Sequence, residues 1–330
     1  MKTFFNCLST SFLIIGTVIG AGFVSGREII QFFGGNVFVS ASIAGILFFV
    51  ITLLLLVTGI KYKTLSGVNG ALFYRSKYLV NGSLFVCMLA VASAGVATVD
   101  SLANSLFSMP ANLPIFSIIM LILACFCAKK GINGLAFVNA LLVPVLLVVS
   151  LVLMLFKGGF YYATEGVSNP LLYVSFNMFL SVAVIFEAGA KIDGKTAFYS
   201  SLISAVITTV YIVLIYGSVS YEGINAINSD LPLFYSLSLL GNSVSICFAC
   251  VLVIGSFTTL VSAYYPLAKG FTAVLGRRGD VTALIVVFLL SRLGIKNIVA
   301  YAYPVAGVLG VIYFICIPVL SVYKRLVKSK

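Results

Sequence analysis

The chain has 330 residues, of which 62% are apolar and only 8% charged, whereas a soluble domain carries roughly 25% charged residues. That excludes a water-soluble globule, and at ~20 residues per crossing the apolar content suffices for about ten membrane-spanning helices. The formal charge of +12 does not call for nucleic acid, because the basic residues fall in short loops between apolar runs. Histidine is absent from the sequence, which removes His-bearing metal centres, Ser-His-Asp triads and His proton relays, and leaves carboxylates for any proton chemistry.

Lys2 opens an apolar run with no small-residue cleavage site, so the N-terminus reads as a first span rather than a removable signal. Apolar runs bounded by charged and turn residues then predict helices at 4–33, 36–60, 80–106, 113–128, 131–157, 168–191, 195–220, 242–268, 280–294 and 297–323. The fourth and ninth are short. The stretch 223–240 is too polar to span and reads as an external loop with short helical pieces. The seven cysteines all lie in apolar runs and behave as small hydrophobes; Cys247-x-x-Cys250 reads as helix packing.

Ten spans put both ends on one face, and the positive-inside rule makes that face cytoplasmic. The inner set is Lys2; Lys61, Lys63, Arg75 and Lys77; Lys129 and Lys130; Lys191 and Lys195; Lys269, Arg277 and Arg278; and Lys324, Arg325, Lys328 and Lys330. Only Arg27, Lys157, Arg292 and Lys296 fall outside. The expected setting is the lipid bilayer of the cell membrane, with tyrosine forming the interfacial belt because tryptophan is absent. Spans one to five (4–157) and six to ten (168–323) have nearly equal lengths, and an odd number of crossings in each predicts two halves of opposite orientation.

The first span holds Gly16-Thr17-Val18-Ile19-Gly20-Ala21-Gly22-Phe23-Val24-Ser25-Gly26-Arg27-Glu28. Each glycine costs a helix ~1 kcal/mol relative to alanine. Gly16-x-x-x-Gly20 also fits close helix packing, but the cluster at Gly20-Ala21-Gly22, in a run too long for one crossing, predicts a break. A break frees backbone amides, which suit a carboxylate, and carbonyls, which suit a small cation. In the sixth span Asn177 and Ser181 share a face, and bond either a substrate or a neighbouring helix. In the eighth, Gly255, Thr258 and Thr259 form a hard-oxygen half-site, unless each hydroxyl only bonds back to its own helix.

GTVIGAGFVSGRE followed by ten spans resembles the amino acid–polyamine–organocation superfamily with the LeuT fold, and is most similar to the YkvI-like bacterial membrane proteins. The resemblance covers essentially the whole chain. It implies an all-α membrane protein of about ten helices in a 5+5 inverted repeat, with helices 1 and 6 discontinuous. It further implies that Gly20, Ala21, Gly22 and Phe23 hold the substrate together with Asn177 and the unwound segment Ser181, Val182 and Ala183. Gly16, Ile19, Gly255, Thr258 and Thr259 would form a sodium site. The fifth span has no central lysine of the kind some proton-coupled relatives keep, which favours Na+ over H+.

Charges at depth are functional candidates. Arg27 is expected either to pair with Asp100 as an outer gate, or to snorkel outward or pair with Glu28. Glu187 either pairs with Lys191 one turn on, or carries a proton or meets a substrate amine. The sequence therefore predicts a secondary active transporter of an amino acid or related zwitterion, with no cofactor beyond the coupling ion. The alternative is a non-transporting amino-acid receptor of the same fold. An intramembrane enzyme is disfavoured, because there is neither an H-E-x-x-H motif nor a carboxylate pair at catalytic spacing.

Overall fold

The computed structural model describes residues 2–63, 69, 73, 77–107, 114–162 and 166–328. Arg75 and Lys330, counted above on the inner face, lie outside that set. Every regular element among the described residues is helical. The first span comes in three pieces: α1 (Lys2–Val18), α2 (Ala21–Val24) and α3 (Arg27–Phe32). It is followed by α4 (Val37–Tyr62), α5 (Lys77–Phe107), α6 (Ile115–Lys129) and α7 (Gly131–Lys157). The second half opens with α8 (Pro170–Gly189) and α9 (Gly194–Tyr221). Two short helices, α10 (Ile224–Asn228) and α11 (Pro232–Ser238), occupy the polar stretch read as a loop. Then come α12 (Asn242–Leu275), α13 (Gly279–Ser291) and the single turn α14 (Ile295–Asn297), which leads through a π-helical turn, Ile298–Ala302, into α15 (Tyr303–Lys328).

Seven described segments are long and apolar enough to cross a bilayer, with Asn242–Ser291 counted as one although it holds α12 and α13; α1 and α6 are shorter apolar helices. The result is an all-α membrane fold of about ten crossings. Local chemistry fixes several boundaries. Asn36 and Asp193 accept the amides of Val39 and Thr196 at 3.3 and 3.1 Å, capping α4 and α9. Hydrogen bonds from Thr196 also hold the Asp193 carboxyl below the usual carboxylate range. Pro170 and Pro232 start α8 and α11, where a missing amide costs nothing. Two expectations are corrected. The eighth span does not end at 268, because α12 continues through Pro266 to Leu275. The sixth is not discontinuous: α8 runs unbroken from Pro170 to Gly189, with no glycine or proline inside it to release a backbone amide.

Packing follows an exchange of each span with the one five later. α1 packs on α7 as α8 packs on α15; α4 packs on α8 as α9 packs on α1; α5 packs on α13 as α12 packs on α6. Lipid tails supply no hydrophobic drive between helices, so close approach of backbones does much of the holding. A Cβ on Gly59 of α4 would stand 2.5 Å from the Phe186 carbonyl, and one on Gly307 of α15 2.9 Å from that of Leu172; Cβ atoms on Gly189 and Gly310 would overlap Leu56 O and Ser175 O. Gly189→Leu is therefore expected to pry α4 from α8 and destabilise the protein by about 1–3 kcal/mol, read as a lower thermal midpoint of the purified chain.

Basic residues sort by end of the bundle. Lys63 bonds the Ala190 carbonyl, Lys191 the Asn133 side chain and Lys269 the Glu187 carboxylate, all within the set read as inner. Lys157 pairs with Glu222 at 2.9 Å, and Arg292 with Asp100, within the set read as outer. Tyrosine is not only an interfacial belt, since Tyr173, Tyr264 and Tyr303 are fully buried. Cys247 and Cys250 are free and face outward from α12, so neither is packed inside the bundle.

Candidate functional site

The first span breaks where the glycines cluster. α1 ends at Val18, Gly20 is extended (φ −102°, ψ −166°), and α2 restarts at Ala21. Gly20 offers no side chain to cap the new helix. The cap comes from another helix: the Ala21 amide donates to Thr259 Oγ1 of α12 at 3.2 Å, and that hydroxyl donates to the Gly255 carbonyl at 2.9 Å. The φ of Gly20 is open to any residue, so the glycine serves approach. A Cβ there would overlap Thr259 Oγ1.

Gly22 makes room on the other side of Ala21, where a Cβ would overlap Glu28 Oε1. The glycine at 26 has a different task, a left-handed turn (φ 82°) that swings α3 back so that Glu28 lies along α2. Gly22 and Phe23, second and third in a helix that starts at Ala21, have no carbonyl one turn earlier to receive their amides, and among the described residues neither amide has a hydrogen-bond acceptor.

Of the expected ion-site residues on α12, Thr259 meets the break and Gly255 packs against Val24 of α2. The Thr258 and Thr259 hydroxyls both bond back to the Gly255 carbonyl, Thr258 at 3.0 Å, and Thr259 reaches across to the first span as well. Gly16 lies in the last turn of α1 and Ile19 just past its end, where carbonyls have lost their helical partners. Gly16 also packs tightly on α7, for a Cβ there would overlap Asn139 Oδ1. Asn139 is fully buried, and neither atom of its amide has a partner among the described residues. Its sequence signal is an amide eight residues into the apolar fifth span, deeper than Asn133 near the start.

The sixth-span residues divide. Ser181 donates to the Thr17 carbonyl at the end of α1, at 3.4 Å, so it faces the break. Asn177 donates to the Tyr173 carbonyl of its own helix at 3.1 Å. Val182 is buried and Ala183 half-buried within regular helix, so the unwound segment expected at Ser181–Ala183 is absent. Phe23 is fully buried and lines a small void with Val24, Leu146, Tyr211 and Leu233.

The charged residues take partners other than those expected. Arg27 Nη1 donates to the carbonyls of Ile227 and Ser229, at 3.0 and 3.4 Å, at the C-terminal end of α10. Asp100 instead binds Arg292 and the Ser117 hydroxyl. In place of the expected Arg27–Asp100 pair, Arg27 is tied to the C-terminal end of α10, and the Leu233 amide bonds the Ser25 carbonyl at 2.7 Å. Glu187 pairs with Lys269 at 2.7 Å and accepts from Tyr265 at 2.8 Å, not with Lys191. Glu28 has no ion-pair partner among the described residues and is 4% exposed.

The all-α fold that holds this broken first span is similar to the fold of LeuT-fold-like transporters of known structure. Solved structures similar to it include Mhp1, a nucleobase-cation-symport-1 family transporter in a closed conformation with bromovinylhydantoin bound, 18% identical, and an Eremococcus coleocola manganese transporter, 14% identical. The first has a TM-score of 0.56 over 93% of this chain and 77% of its own, the second 0.53 over 97% and 72%. In sequence, the chain is similar to two Bacillus subtilis (strain 168) proteins. One is the uncharacterized protein YyaD, 24% identical over 94% of this chain and 97% of that one; the other is the uncharacterized membrane protein YkvI, 22% identical over 90% and 91%. No family model matches.

Proposed function

We propose that the chain is a secondary active transporter of an amino acid or related small zwitterion, driven by Na+ and working by alternating access, as a member of the amino acid–polyamine–organocation superfamily. The single observation that carries this reading is the interruption of the first span at Gly20 with the Thr259 hydroxyl set into it. Unpaired backbone is tolerated at membrane depth where it lines a cavity or binds something. The amides of Gly22 and Phe23, at a helix N-terminus, suit a substrate carboxylate. The oxygens of Gly255, Thr258 and Thr259, with carbonyls from the end of α1, are hard ligands suited to Na+. The halves 4–157 and 168–323 then rock about this shared site. We further place the chain in the plasma membrane with both termini cytoplasmic.

A ligand that binds only the folded state raises stability, by about 2.7 kcal/mol at 100 times its Kd. Thermal unfolding of the purified protein is therefore expected to shift upward in NaCl relative to KCl. Thr259→Ala should remove that shift and also lower the baseline midpoint, because it leaves the Ala21 amide without its acceptor, at a cost of about 1–3 kcal/mol. Equal stabilisation of both proteins by sodium would place the ion elsewhere.

A further inference from the structure

Glu28 is a buried carboxyl with no ion-pair partner among the described residues, and it stands beside the break. Its Oε2 is sealed from solvent without a hydrogen-bond partner. Leaving a carboxylate in that condition is costly unless a counter-charge arrives. The adjacent cation is not that counter-charge, since Arg27 is turned to the loop carbonyls of Ile227 and Ser229. Beside Glu28 stands the backbone of Gly22, whose missing side chain makes room for the carboxylate; one turn on in α3, the Phe32 ring lies 5.7 Å from that of Tyr173, centroid to centroid. The Tyr173 hydroxyl is buried and also lacks a partner among the described residues. The rings continue as a cluster, with Tyr173–Phe176 centroids 5.4 Å apart and Phe176–Tyr303 4.7 Å.

We propose that Glu28 is the recognition residue for a protonated amine, with Tyr173 and Tyr303 completing an anionic, aromatic-walled subsite. This deepens the transport reading above and rests on it for the position of the substrate. A metal ion is the poorer occupant, because no group of three or more acidic, Cys or His side chains gathers among the described residues. Aromatic faces, by contrast, favour organic ammonium groups. An α-amino acid carries its ammonium and carboxylate on one carbon, and the broken helix sets the unpaired amides of Gly22 and Phe23 next to the Glu28 carboxylate. A substrate that bridges the two neutralises Glu28 as it docks.

The test is thermal unfolding of the purified full-length protein in sodium buffer with three probe pools that share side chains: the standard amino acids, the amines formed from them by decarboxylation, and the carboxylic acids formed by deamination. Wild type is expected to be stabilised by the first two and not by the third. Glu28→Gln should unfold no earlier than wild type, since a neutral isostere replaces an unpaired buried charge, yet lose roughly 10–100-fold in apparent affinity for both amine-bearing pools. Glu28→Asp should recover part of it. A wild type that answers to the carboxylic acids as well as to the amino acids, or to no pool, overturns the assignment without recourse to any variant. So does a Glu28→Gln protein of unchanged amine affinity, including one in which only the pH dependence of uptake has altered, which would make Glu28 a proton carrier. Uptake into proteoliposomes separates this from the function proposed above. Glu28-dependent amine binding without uptake supports the subsite and removes the transporter, whereas uptake indifferent to Glu28→Gln does the reverse.

Discussion

Gly20→Ala is expected to abolish substrate uptake and to destabilise the protein, although alanine is the better helix former. In an ordinary helix interior the exchange stabilises by ~1 kcal/mol. Here the new Cβ would overlap Thr259 Oγ1, the group that receives the Ala21 amide. Relief requires α12 to move away from the break or Thr259 to rotate out of it, and either leaves the Ala21 amide unsatisfied at membrane depth. Strain of about 1–3 kcal/mol and a lost buried hydrogen bond of about 1–3 kcal/mol outweigh the gain in propensity. The sign therefore decides the matter. Gly82→Ala is the control, because a Cβ there meets nothing within 4 Å, and it should leave the midpoint level or slightly raised. A Gly20→Ala protein that behaves like Gly82→Ala would mean that the close approach to Thr259 does not exist.

Arg27→Ala is expected to open the outer face. One guanidinium nitrogen is shared between the carbonyls of Ile227 and Ser229, and the shared contact counts as one hydrogen bond to a charged group, worth about 1.5–3 kcal/mol. Losing it shifts the balance between closed and open outer vestibules by roughly 10–100-fold. The readout is the rate at which a membrane-impermeant maleimide labels Asn177→Cys from outside, in a protein whose native cysteines have been replaced. Asn177 is buried, at 4% exposure, so labelling reports opening. A rate at least tenfold faster with Arg27→Ala is the expected result. An unchanged rate would show that the loop contact does not hold the vestibule shut.

Local signals in the sequence were the ones that survived folding. Four glycines between 16 and 26 located the break, because glycine at membrane depth weakens a helix whatever lies around it. Even so, the reason proved partly different: Gly20 and Gly22 matter for what they admit, Thr259 and Glu28, more than for helix weakness. The sixth span shows the converse. Discontinuity there followed from resemblance alone, and α8, with no glycine or proline between Leu171 and Ala188, stays helical.

Partnerships between distant residues were least legible. Arg27, Asp100, Glu187 and Lys191 were each recognisable as charges near helix ends, but Arg292 reaches Asp100 across 192 positions and Lys269 reaches Glu187 across 82. Spacing along one helix says nothing of such pairs, which are set by how α13 and α12 lie beside α5 and α8. Tyr173 and Tyr303 were lost for a related reason. A tyrosine reads the same at an interface and in a core until the neighbouring helices are in place, and only the packing of α3, α8 and α15 gathers these two into a ring cluster with Phe32 and Phe176.

The central claim is that the broken helix grips an amino acid and an ion together and releases both on the far side. Its most direct test is uptake of a radiolabelled amino-acid mixture by proteoliposomes with Na+ outside and K+ inside. Accumulation above the external concentration, collapsing when a sodium ionophore is added and missing from Gly20→Ala vesicles, is the predicted result. Saturable binding with internal amino acid never rising above equilibrium, under any cation gradient, would contradict it and leave a receptor in place of a carrier.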